Sequence, residues 1–215
     1  MKTKNLTTLN FKNSICRSPS RLAFTLISLS LILFALSPTA RAVTPAPDGG
    51  YPGSNTAEGD DALFSLTIGT NNTAIGFRAL YRDTSGEENT AIGAAALSSN
   101  TAGVFNTATG FAALSDNVTG NYNTGSGYQA LLSNTTGSFN TAAGFQALLS
   151  NTRGDTNTAY GVETLKDNTT GTNNTAIGTT ALISNITVSK VTAARGGAVS
   201  LCPRQATNEP SFLRA

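Results

Sequence analysis

Apolar and polar positions recur along this 215-residue chain with a period of seventeen. From Asn55 the chain divides into eight rows, with no insertion or deletion as far as residue 190. Asn-Thr opens every row, at Asn55, Asn72, Asn89, Asn106, Asn123, Asn140, Asn157 and Asn174. The fifth column is always glycine: Gly59, Gly76, Gly93, Gly110, Gly127, Gly144, Gly161 and Gly178. The ninth is always leucine: Leu63, Leu80, Leu97, Leu114, Leu131, Leu148, Leu165 and Leu182. Alanine precedes that leucine everywhere except at Thr164, and the fifteenth column is glycine except at Val188. A unit of seventeen is too short for a helical-hairpin repeat, which needs roughly thirty residues or more. "NTAIGF" and "AALSS" have the length of strands and are separated by turn residues.

Polar residues in the seventh column (Asp61, Arg78, Gln129, Gln146, Glu163) break the alternation and predict a corner near the sixth and seventh columns. "SNTTGSF" predicts a second corner. The expected fold is all-β, a repetitive parallel β-solenoid with one coil per repeat and two short strands in each coil. Stacked coils put like on like: asparagine amides form ladders, threonines pack face to face, and leucines build a continuous interior spine. A glycine in every fifth position marks either positive φ or a place with no room for a Cβ. At about 4.8 Å per coil, eight coils give a body about 38 Å long.

Aromatics occupy the sixth column (Phe77, Phe111, Tyr128, Phe145) and the seventeenth (Phe105, Tyr122, Phe139). A thin coil cannot enclose these as well as a leucine and two alanines. Part of this apolar surface must face a partner or solvent, and contiguous exposed apolar stripes mark interfaces. Phe77, Phe111, Tyr128 and Phe145 are therefore candidate interface residues. The recurring "NTAIG", "NTATG" and "NTAAG" units, over residues 55–190, resemble the head repeats of YadA-like trimeric autotransporter adhesins. The resemblance implies a left-handed parallel β-roll, three chains packed side by side as a homotrimer, and adhesion at a bacterial outer membrane. The period of seventeen is longer than that family's usual repeat.

The flanks add a destination. Residues 1–21 hold Lys2, Lys4, Lys12, Arg17 and Arg21 and no acid, and an apolar run follows from Leu22 to Leu36. Ala40-Arg41-Ala42 has the small-x-small form that a signal peptidase accepts, so 1–42 reads as a signal peptide. The run has 15 residues, short of the roughly 20 that a membrane-spanning helix needs. No stable membrane span is expected after cleavage. Residues 43–54 read as a Pro/Gly linker, and residues 191–215, which lose the Asn-Thr rhythm, as an irregular tail. Cleavage after Ala42 removes six of the fourteen basic residues and none of the twelve acids, so the mature chain carries −4. The basic balance of the whole chain is thus no nucleic-acid footprint.

Chemistry is sparse. The chain has no histidine, which excludes Ser-His and Cys-His arrangements, and only Cys202 remains after cleavage. The carboxylates hold no single column, whereas a calcium-binding roll would repeat aspartate in every turn. No enzyme activity, cofactor or metal is expected. Asn-x-Thr matches at Asn71, Asn117, Asn134 and Asn168 have the form of glycan acceptors, but the repeat already accounts for them. The expected function is an exported structural and adhesive module whose candidate ligands are matrix, glycan or another cell surface. The alternative is a rigid spacer of a tail-fibre-like or spike protein.

Overall fold

The structure, a computed structural model, describes residues 51–194 and the backbone of 211–213. Each repeat contributes one three-residue strand, from its second to fourth columns: β1 (Thr56–Glu58), β2 (Thr73–Ile75), β3 (Thr90–Ile92), β4 (Thr107–Thr109), β5 (Thr124–Ser126), β6 (Thr141–Ala143), β7 (Thr158–Tyr160) and β8 (Thr175–Ile177). With β9 (Val191–Ala193) and β10 (Ser211–Leu213) they form one ten-stranded parallel sheet in chain order. The register is the repeat itself, with Thr73, Ala74 and Ile75 facing Thr90, Ala91 and Ile92. From β1 to β8 the middle residue is buried and its neighbours turn outward. No helix occurs among the described residues. The chain is an all-β parallel solenoid with one coil per seventeen residues.

The second strand expected in each coil is not formed. In its place the chain makes two successive turns, closed by Ala79 N–H to the Gly76 carbonyl (3.1 Å) and Asp83 N–H to the Leu80 carbonyl (3.2 Å). The cause is backbone conformation. Arg78 in the seventh column has φ +55° and Leu80 in the ninth has φ +51°. Every leucine of the spine has φ between 50° and 55°, a region that bulky residues rarely occupy. Hydrogen bonding between coils nevertheless continues through these turns. Leu80 N–H donates to the Ala96 carbonyl one coil on (3.0 Å), and Arg78 N–H to the Asp60 carbonyl one coil back (2.9 Å). Left-handed backbone costs about 1–2 kcal/mol per residue. Burial of a leucine side chain, worth about 2 kcal/mol, offsets it at the ninth column.

The interior is narrow. Alanines of the third and eighth columns and leucines of the ninth form one continuous apolar cluster. At both ends the solenoid extends beyond the boundaries that the sequence pattern sets. Tyr51, expected in the linker, bridges to Asn55 and packs against the first coil's core. At the other end, Val191–Ala193 adds a strand where an irregular tail is expected. Thr192 and Ala193 keep the register of Thr175 and Ala176, and the Val191 N–H donates to Asn174 Oδ1 (3.0 Å). The first column can therefore join the ladder through its backbone alone. The signal segment 1–42 and most of the tail lie outside the described residues.

Candidate functional site

The buried polar groups are committed to holding the coil together. In the first column, Asn89 Nδ2 donates to Asn72 Oδ1 (3.2 Å) and to the Gly103 carbonyl (2.8 Å). Its backbone N–H donates to the same Oδ1 (2.9 Å). The twelfth column carries a second ladder: Asn117 Nδ2 donates to Asn100 Oδ1 (2.9 Å) and to the Gly120 carbonyl (3.0 Å). In the same coil the Gly120 carbonyl also accepts from Asn106 Nδ2 (2.9 Å), so one glycine carbonyl ties two ladders together. Sequence reading places the twelfth-column asparagines in a corner and misses their burial. The signal was present, because asparagine holds that column from Asn100 to Asn185. Asn117, Asn134 and Asn168 are fully buried and so closed to a glycan, whereas Asn71 is exposed.

The two glycine columns are required for different reasons. Gly127 in the fifth column has φ +135°, and a Cβ added there would lie 2.5 Å from the Gly144 carbonyl oxygen of the next coil. Gly137 in the fifteenth needs no positive φ; an added Cβ would meet Asn134 Oδ1 and the Gly154 oxygen, both at 2.5 Å. All eight fifth-column glycines, Gly59 through Gly178, have φ between 119° and 141°. All eight spine leucines are buried.

What the molecule offers to other molecules is its outer face. The candidate interface residues Phe77, Phe111, Tyr128 and Phe145 are 44–51% exposed. Phe111, Tyr128 and Phe145 stack in sequence, with ring centroids 5.4 and 5.3 Å apart. Phe105, Tyr122 and Phe139 form a second stack at 4.8 and 5.0 Å. Phe77 is not in a stack; Arg78 lies over its ring at 4.9 Å. Ile75, Ile92, Tyr160 and Ile177 in the fourth column are exposed too, two pairs separated by Thr109, Ser126 and Ala143 that the sequence reading passes over. The Thr-Ala-x alternation could have revealed them, since burial of the middle alanine turns the third residue outward. The carboxylates are scattered, and among the described residues no group of three or more His, Cys, Asp or Glu comes together. No described helix is long and apolar enough to cross a membrane; the run Leu22–Leu36 lies outside the residues described. No family model, no curated protein and no solved structure matches this chain.

Proposed function

We propose that this chain is an exported, non-enzymatic structural and adhesive module that assembles as a homotrimer. The observation that supports this most is the contrast between an interior whose polar groups are paired, Asp83 Oδ2 excepted, and an unpartnered outer face. Interior amides pair with one another, while every coil from the second to the eighth exposes an isoleucine, valine or aromatic in its fourth or sixth column, a run of apolar residues along the solenoid. Apolar stripes of this kind are interaction surfaces, and a second and third copy would present the same stripe at the same pitch. A flat, repetitive face engages matrix, glycan or cell-surface ligands through many weak contacts rather than through one pocket. The absence of histidine leaves no general base of the usual kind, which favours a binding role over catalysis. The signal-like N-terminus favours export to the cell surface or beyond.

The long amide ladders favour a second reading, in which the solenoid is a rigid spacer within a tail-fibre-like or spike assembly. Both readings share the trimer, and sedimentation tests it. The segment 43–194 should run as a species of roughly 45 kDa, from about 0.1 kDa per residue for three chains. Its unfolding midpoint should rise with protein concentration. Replacing Phe111, Tyr128 and Phe145 together by Ser should shift it to the monomer. A monomer whose unfolding is independent of concentration would overturn the assembly. Attachment of the wild-type trimer, but not of a scrambled-face variant, to matrix-coated surfaces would separate adhesion from spacing.

A further inference from the structure

The twelfth-column ladder contains one irregular member. From Asn100 to Asn185 every position is asparagine, but coil 2 carries Asp83, and coil 1 carries Leu66. Asp83 is fully buried. Its Oδ1 occupies the usual amide-oxygen place, accepting from Gly86 N–H (2.9 Å) and from Asn100 Nδ2 (3.1 Å). Its Oδ2 is buried with no hydrogen-bond partner.

The other coils show what that second atom normally does. At Asn100, Asn117, Asn134, Asn151, Asn168 and Asn185 it is an N–H donor to the carbonyl three residues on, at 2.9–3.1 Å. The corresponding carbonyl in coil 2 belongs to Gly86, which already accepts from Asn72 Nδ2 (2.7 Å). The preceding coil offers no amide, because Leu66 stands there. An ionised Asp83 would therefore leave Oδ2 a buried, charge-bearing oxygen without a donor, whereas a protonated one supplies the missing donor to the Gly86 carbonyl.

We propose that Asp83 is a proton-operated closure of the second coil: its carboxylic acid donates from Oδ2 to the Gly86 carbonyl as asparagine does elsewhere, and ionisation opens that bond. Burial pushes the Asp83 carboxyl up to about 6, against the lowering effect of the Gly86 and Asn100 hydrogen bonds. No charged side chain contributes to the shift. Gly86 and Asn100, which donate to the carboxyl, carry no charge, and the nearest charges along the chain, Arg82, Glu87 and Glu88, are exposed. A folded-state value above that of the unfolded chain means that the contribution is fully present below the ordinary carboxylate range. It is lost as pH rises through about 6. An exported protein would thus hold its second coil more tightly in a mildly acidic medium than in a neutral one.

The test uses the full chain, labelled for carbon-detected NMR, with the wild type and Asp83→Asn side by side. The Asp83 carboxyl carbon should titrate with a midpoint near 6. Amide-exchange protection of Asp83 and Asn100, whose N–H groups donate to the Leu80 and Leu97 carbonyls rather than to the carboxyl, should, corrected for intrinsic exchange, fall about tenfold between pH 5 and pH 7.5 in the wild type, the loss of one buried hydrogen bond. It should stay constant in Asp83→Asn, whose amide supplies the donor at any pH. A carboxyl that titrates in the ordinary aspartate range, or wild-type protection as flat as that of Asp83→Asn, would overturn the proposal.

Discussion

Two glycines two residues apart should respond in opposite directions to the same substitution. Gly125 occupies the third column, where every other coil has a buried alanine. It does not have positive φ, and an added Cβ would lie 3.2 Å from the Ala130 carbonyl oxygen and 3.3 Å from Leu114 Cγ. Those contacts are tight, yet Ala108 and Ala142 in the neighbouring coils hold the same place against the same spine. Gly125→Ala should therefore stabilise. Burying one methyl contributes about 0.8 kcal/mol, and the reduced freedom of the unfolded chain adds about 0.4–1 kcal/mol. Allowing for the close contacts, a net gain of about 1 kcal/mol is expected, or about 2–4 °C in Tm for a body of this size. Gly127→Ala should do the reverse. Its φ of +135° is closed to alanine, and its Cβ would lie 2.5 Å from the Gly144 carbonyl oxygen of the next coil, which accepts a turn bond from Ala147 N–H (3.4 Å). The backbone must shift or that turn bond must break, at a cost of about 2–4 kcal/mol. Urea denaturation followed by circular dichroism, at one fixed protein concentration, would measure both. If Gly125→Ala lowers the midpoint, or the two variants move together, the idea that the third column is a methyl-lined interior fails.

Three further outcomes can be measured. Leu131→Asp should cost several kcal/mol, because an unpaired carboxylate would enter the spine, while Gln129→Asp should cost about 1 kcal/mol, mainly the bond from Gln146 Nε2 (2.9 Å). Equal denaturation midpoints for the pair would refute the inward leucine. Asn134→Ala removes donors to Asn117 Oδ1 and the Gly137 carbonyl and orphans Asn151 Nδ2 on one side, so a loss of about 2–4 kcal/mol is expected by thermal melting. A loss no larger than that of an exposed substitution such as Thr136→Ala would show that the second ladder contributes little. Intact-mass measurement of the exported protein should find Val43 at the N-terminus.

The repeat by itself determines much of the fold. A period of seventeen with aligned Asn, Gly and Leu columns can be satisfied only by stacking identical units, so one coil per repeat, the parallel register and the inward leucines follow from the spacing. The close approach of glycines such as Gly127 also follows, because a residue type that never varies within a column reports a local steric demand. Other features depend on what lies one coil away. "AALSS" has the composition of a strand, yet neighbouring coils supply hydrogen bonds to a turn, and burial of Leu80 and its equivalents holds leucine at positive φ. That conformation is unfavourable in isolation, so local preference could not foretell it. Asn117 reads alone as a surface turn residue, and only the stacked Asn100 and Asn134 make it part of a buried ladder. The same holds for Val191, which has lost the first-column asparagine but keeps its place through one backbone N–H to Asn174. The exposed aromatics lie at the limit of both kinds of reading. Sequence shows that they are too many to enclose, and tertiary structure decides that they stack on the outside, because the interior is only one leucine wide.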